Sequence, residues 1–130
     1  MKRRIVLYLK KDIIDKLTEW TLVEKPNEAA GYLFKDNSIF RRIITSDKSI
    51  THFYDENPEQ LLKWIEKYGS PNIFHSHPCA GIPSGTDILY MKNTLIFNSI
   101  WFIMGNKMDL RAWKLDSNYR PIELEVNIID

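Results

Sequence analysis

The sequence predicts an α/β domain in which helices pack on a mixed β-sheet. Three observations lead there. Segments of period 2 and period 3.6 alternate through the first two thirds of the chain, and the last third reads as strand throughout. The helical segments carry their own start and stop residues. The 130 residues, 44% hydrophobic and 27% charged, suit one domain (1–130) with its own core and exclude disorder as the main state.

The elements follow in order. Arg3 to Lys10 reads as a first strand, with Ile5, Leu7 and Leu9 alternating against Val6, Tyr8 and Lys10. Asp12 is the expected cap of a helix whose apolar positions are Ile13, Ile14, Leu17 and Trp20, with Asp15 three residues past the cap; Pro26-Asn27 ends that region. Glu28 to Phe34 and Ile39 to Ile44 flank Lys35-Asp36-Asn37-Ser38 and predict a hairpin. A strand is expected from Ser49 to Tyr54. A second helix spans Pro58 to Tyr68, with Asn57 as cap, proline in the first position and Gly69 as stop; Leu61, Leu62, Trp64, Ile65 and Tyr68 form its buried side. Pro71 to His75 is a short strand, Pro78 to Gly85 a loop, and Thr86 to Asn93 a third helix capped by Ser84. Ile100 to Met104 and Leu110 to Leu115 flank a turn at Gly105-Asn106-Lys107. A last strand alternates Ile122, Leu124, Val126 and Ile128 with polar residues.

Composition narrows the function. Eighteen Lys and Arg against 17 Asp and Glu leave a charge of +1, which gives no general attraction to nucleic acid or an anionic membrane. Cys79 is the only cysteine, so no intrachain disulfide can form and a reducing cytoplasm is expected. The apolar run from Ile5 to Leu9 stops at Lys10-Lys11, too short for a signal peptide. The oily stretch from Leu95 to Met104 is broken by Asn98 and Ser99. A soluble cytoplasmic protein is the reading. Trp20, Trp64 and Trp101 read as core, Arg41-Arg42 and Lys10-Lys11 as solvated, and His52 as a strand residue without a role.

One segment carries chemistry: His75-Ser76-His77-Pro78, then Ser84-Gly85-Thr86-Asp87. On a strand, residues i and i+2 share a face, so His75 and His77 can aim two imidazoles at one point. Asp87, in the first turn of the next helix, can be folded back as a third ligand. Three protein ligands leave the fourth tetrahedral position of a zinc ion open, the arrangement of a catalytic site. Ser84-x-x-Asp87 is also a near-match to a capping box, which alone accounts for both residues. For Asp87 the two roles compete, because its carboxylate points either at backbone N–H groups or at a metal. Cys79 as a fourth ligand would close the site to water. A zinc nucleobase deaminase is excluded, since its Pro-Cys-x-x-Cys pair needs two cysteines.

These residues resemble the JAMM metalloprotease family, also called MPN-plus or Mov34/Pad1-like, whose motif joins an upstream glutamate to His-x-His-Pro and Ser-x-x-Asp. Here Glu28-Ala29-Ala30-Gly31-Tyr32-Leu33 matches the family's Glu-x-x-Gly-x-Leu segment. Two departures stand out. Six residues separate His77 from Ser84, where seven are more usual, and Lys35 or its neighbour replaces a glycine common after the leucine. The resemblance implies the MPN (JAMM) fold, a curved mixed sheet with helices packed on it, similar to that of cytidine deaminase. It implies zinc (Zn2+) held by His75, His77 and Asp87, with Glu28 as general base and then acid, and Ser84 donating a hydrogen bond to the oxyanion. The implied reaction is hydrolysis after the C-terminal Gly-Gly of a ubiquitin-like modifier or sulfur-carrier protein, by a small stand-alone prokaryotic type of enzyme. The alternatives are a peptidase trimming a sulfur carrier's tail and a non-catalytic MPN scaffold.

Overall fold

The computed structural model describes residues 5–46, 48–51, 53 and 55–130. Its elements are β1 (Val6–Lys10), α1 (Lys11–Glu24), β2 (Ala30–Phe34), β3 (Ile39–Arg42), α2 (Pro58–Tyr68), β4 (Asn72–Ser76), α3 (Gly85–Asn93), a 3-10 turn (Leu95–Phe97), β5 (Trp101–Met104), β6 (Leu110–Leu115) and β7 (Pro121–Ile129). The strands form one sheet in the order β1-β7-β6-β5-β4-β2-β3. β1 runs parallel to β7 and β4 parallel to β5; the other neighbours are antiparallel. The expected mixed sheet with helices packed on it is therefore the fold observed.

Alternation along the strands sorts side chains onto two faces. Leu33, Phe74, Phe102 and Met104 join Ile13, Leu17 and Trp20 of α1 in one core. Tyr32, Phe34, Ile73, Trp101, Ile103 and Trp113 form the other, against Trp64 and Ile65 of α2 and Met91 of α3. His75 alternates with Phe74 and so belongs to the α2 and α3 face, and the metal-ligand candidates gather there.

Local signals hold where they are complete. Asn57 Oδ1 accepts from Gln60 N–H at 3.1 Å, Pro58 opens α2, and Gly69 stops it at φ 89°. The hairpin turn places Lys35, Asp36 and Asn37 in succession at positive φ, a conformation that Asn and Asp tolerate well.

Four expectations are corrected. Asp12 does not cap α1: the helix begins at Lys11, Lys10 is the cap residue without a side-chain bond, and Asp12 Oδ1 accepts from its neighbour Ile13 N–H. Leu62 is exposed, because Leu61, Trp64, Ile65 and Tyr68 at spacings of three, four and seven already complete the buried stripe. Residues 49–51 and 53 are bends and coil rather than strand; His52 and Tyr54 lie outside the described residues, as do Arg3 and Arg4. Arg41 and Arg42 are not simply solvated: Arg41 Nη2 donates to the Tyr68 hydroxyl at 2.8 Å, and Arg42 stacks over Trp20 at 4.5 Å.

Gly31 is required by packing. A Cβ there would collide with Cε1 of Phe40 and stand 2.6 Å from the Arg41 carbonyl oxygen. Phe40 crosses this bare backbone to meet Phe74 edge-on at 5.8 Å. Gly31→Ala is expected to cost about 1–3 kcal/mol, read as a lowered urea midpoint with unchanged slope.

Candidate metal centre

The site is built where β4 ends. His75 is fully buried, its ring held between Phe53 (5.1 Å) and Trp101 (5.5 Å). His77 lies just past the strand, yet its N–H donates to the Met104 carbonyl at 2.9 Å, which prolongs the β4–β5 pairing by one residue. The strand's alternation is thereby kept, and the two imidazoles stand 4.7 Å apart on one face.

Asp87 arrives from α3. Ser84 caps that helix: its Oγ accepts from Asp87 N–H at 3.1 Å while Asp87 Oδ2 accepts from Ser84 N–H at 3.0 Å, a complete capping box. The same Oδ2 lies 3.2 Å from His75 Nε2 and 3.0 Å from His77 Nε2. The two roles expected to compete are thus filled by one oxygen.

The six-residue loop between His77 and Ser84 is short because it is pinned. Cys79 O accepts from Asn106 N–H at 2.9 Å, and Gly81 O accepts from Trp113 Nε1–H at 2.8 Å. A Cβ on Gly81 would stand 2.8 Å from the Ile103 carbonyl oxygen, so only glycine lets the loop lie this close to β5. Cys79 is exposed, and its thiol is not among the groups that converge.

Glu28 precedes β2 and is fixed through its neighbour. Ser76 N–H donates to Ala29 O at 2.9 Å, and Ser76 Oγ accepts from Ala29 N–H at 2.8 Å. Glu28 N–H donates to Ser49 O at 2.6 Å. Its side chain is 3% exposed, with Oε1 at 3.8 Å from His75 Nε2. Ser76 is a positioning residue that motif reading passes over as the variable x of His-x-His. Finding it requires knowing that β2 begins beside the end of β4.

His75 Nε2, His77 Nε2 and Asp87 Oδ2 form a triangle with sides of 2.9, 3.0 and 3.2 Å. Ligand atoms about 2.0–2.1 Å from a tetrahedral zinc stand roughly 3.3 Å from one another, so the triangle has the size of one face of such a site. His77 Nδ1 lies 3.3 Å from Ala80 O; donation there leaves Nε2 as the coordinating nitrogen. Glu28, His75 and His77 also converge, with one ligand atom of each within 4.8 Å of the others. The triangle with Asp87 is the tighter set, which favours Asp87 as the third ligand and leaves Glu28 beside it. The donors fit zinc: two neutral imidazoles and one carboxylate.

Electrostatics agree with that division. Burial pushes the Glu28 carboxyl up to about 8, with His77 opposing and Asp87 reinforcing the rise. Burial holds His75 below its ordinary value against the pull of Asp87. His77 is raised: burial acts downward, but its hydrogen bond to Asp87, the Asp87 and Glu28 charges and the Ala80 carbonyl outweigh it. Burial would raise Asp87, yet hydrogen bonds from His75, His77 and Ser84 N–H hold it well below the usual carboxylate range. A cavity of about 210 Å³ opens beside Glu28 and His77, lined also by Thr21, Ile50, Ser76 and Pro78.

Residues 10–116 match the family described as prokaryotic homologues of the JAB domain. Solved structures share the fold. A protein from Desulfitobacterium hafniense superposes with a TM-score of 0.73 at 22% identity, covering 97% of this chain and 94% of that one. A JAMM domain, described as a metalloprotease-like zinc site in the proteasome and signalosome, gives 0.54 at 16% identity over 95% and 98%. A JAB1/MPN domain protein from Archaeoglobus fulgidus gives 0.51 at 14% identity over 98% and 99%. No curated protein sequence matches significantly. No helix among the described residues is long and apolar enough to cross a membrane. The match runs from the end of β1 through β6 and takes in Glu28, both histidines, Ser84 and Asp87, and the chain belongs to the prokaryotic JAB-domain homologues of the JAMM/MPN family.

Proposed function

We propose that the chain is a zinc-dependent peptidase or isopeptidase that hydrolyses the bond after the C-terminal Gly-Gly of a ubiquitin-like modifier or sulfur-carrier protein. One observation carries the reading: a buried glutamate stands beside a compact His75–His77–Asp87 triangle, and this glutamate and His77 line a cavity. Zinc, held by those three side chains, would supply a Lewis acid to a carbonyl oxygen and acidify a water. Glu28 would take a proton from the attacking water at its carboxylate and hand it to the leaving amine. A carboxyl poised near neutrality suits both transfers, and a neighbouring cation favours its ionised form. Ser84 Oγ already accepts from Asp87 N–H, so its hydroxyl hydrogen can donate to the oxyanion. The substrate class rests on the family resemblance. A Gly-Gly tail, bare of side chains, suits an approach through so small a cavity.

Metal analysis of the purified chain is the primary test. About one zinc per chain, lost in His77→Ala, is the expected result; no zinc in either folded protein would favour the scaffold reading. Glu28→Gln should keep the zinc while cleavage of a Gly-Gly-linked conjugate falls by about 10²–10⁴-fold, and undiminished turnover would sink the mechanism. Ser84→Ala should slow cleavage by about 10²-fold and cost about 1 kcal/mol through the lost cap, with metal affinity little changed.

Glu28 also predicts a pH signature in the metal-free protein. Its folded value, about 8, lies above the ordinary 4.5. The folded state therefore holds the proton more tightly, and Glu28's contribution to stability is full below about pH 4.5 and declines as pH rises to about 8. Metal-free Glu28→Gln should match the parent near pH 4.5 and exceed it above pH 8 by about 1–3 kcal/mol, measured by urea unfolding at both pH values.

A further inference from the structure

A cleft of about 660 Å³ borders none of the metal-site residues. It runs along β3, which ends the sheet order, and no further strand among the described residues pairs with it. Its walls come from α1 on one side and from α2 with its leading loop on the other, so both helices overhang the edge of the sheet.

The register shows which backbone groups face into this cleft. Gly31 lies opposite Arg42, so Ala30 lies opposite Ile43, and Ile43 N–H donates to Ala30 O at 2.9 Å. Hydrogen-bonded and non-bonded pairs alternate in an antiparallel ladder, so Arg41 and Ile39 also turn their amides and carbonyls toward β2. Phe40 and Arg42 turn theirs outward. The Phe40 carbonyl is already met on that side by Arg41 Nη1 at 3.4 Å, a long contact that a better donor can replace.

The two walls differ in chemistry. Phe40 and Arg42 point to the α1 side, where Phe40 joins the α1 core and Arg42 stacks on Trp20. Lys16 and Glu19 also line that wall and offset one another, so Arg42 leaves it with a net positive charge. Ile43 and Trp64 give the other wall its apolar surface beside the amides of Asn57 and Gln60; its two charged groups are engaged, Arg41 donating to the Tyr68 hydroxyl at 2.8 Å and Asp55 accepting from the Tyr32 hydroxyl at 2.6 Å. A strand added to β3 would send successive side chains to opposite walls.

We infer that the open edge of β3 is a docking slot for one extended segment of a partner protein, with acidic side chains toward Lys16 and Arg42 and apolar ones toward Ile43 and Trp64. The main chain of the segment pairs with Phe40 and Arg42 by strand addition, and the alternating side chains supply the selectivity. Side chains of α1 and α2 stand on both sides of this edge, an arrangement that suits one extended strand. The slot is independent of the metal centre, so its occupant need not be the substrate.

The test uses the whole chain and three labelled hexapeptides that alternate valine with glutamate, with lysine or with serine. Binding is followed by fluorescence anisotropy, and amide exchange by NMR. The valine–glutamate peptide should bind saturably, at least about tenfold more tightly than the valine–lysine peptide, and should slow exchange of the Phe40 and Arg42 amides by about tenfold or more. Replacing its central valine with proline, which removes an N–H, should abolish that protection. Lys16→Glu and Arg42→Glu should each reverse the preference between the acidic and basic peptides. The inference is overturned if none of the peptides binds up to about 1 mM. It is also overturned if binding leaves Phe40 and Arg42 unprotected, or if those amides become protected with rising protein concentration alone, which would make the edge an interface between copies.

Discussion

The pairing of Ala29 with Ser76 is the constraint on which the site depends. Two hydrogen bonds join them, one through the Ser76 backbone N–H and one through its hydroxyl. Ala29 follows Glu28 in the chain, and Ser76 sits between the two histidines. Fixing these two residues together therefore fixes the carboxylate against the imidazoles. The contact spans 47 residues of sequence, and it is short and buried. A long glutamate side chain would otherwise have several rotamers available; closing the strand pair and burying the carboxylate leaves it near one.

The rest of the sheet serves this junction. β5 lies parallel to β4 and carries the extra pairing from Met104 that keeps His77 in strand geometry. β6 contributes Trp113, whose indole N–H holds the loop carbonyl at Gly81. Phe53 and Trp101 confine the His75 ring in apolar surroundings, so that nitrogen stays neutral and suited to a metal. The hydrophobic core and the polar cluster are one construction here: the residues that bury apolar area also set the angles of the ligands.

What could be read from the sequence is what neighbouring residues decide. Ser84 and Asp87 announce a helix start because both halves of a capping box lie within four residues. Asn57, Pro58 and Gly69 bound α2 for the same reason. His75 and His77 share a face by strand alternation alone. The failures have longer reach. Asp12 has the chemistry of a cap, but the chain enters α1 directly from β1 and the helix starts before it. The segment after β3 has strand-like composition, yet the Ser49 carbonyl is taken by Glu28 N–H, and its described residues bend instead of pairing in the sheet. No local pattern could reveal Ser76's hydroxyl as the anchor of Ala29, or show that the shorter loop is accommodated by glycine contacts with β5.

Asp87 Oδ2 receives the first amide of the α3 cap and also faces both histidines. Asp87 and Met91 are the only buried residues of this helix, while Leu89 and Tyr90 lie exposed. α3 is thus moored to the site at its first turn and to the core through Met91. Whatever occupies the cluster pulls on the same atom that starts the helix, so occupancy and the order of α3 form one thermodynamic cycle. A charge bound at the site would be felt as stiffness along α3, out to the exposed Leu89 and Tyr90 on the molecule's surface.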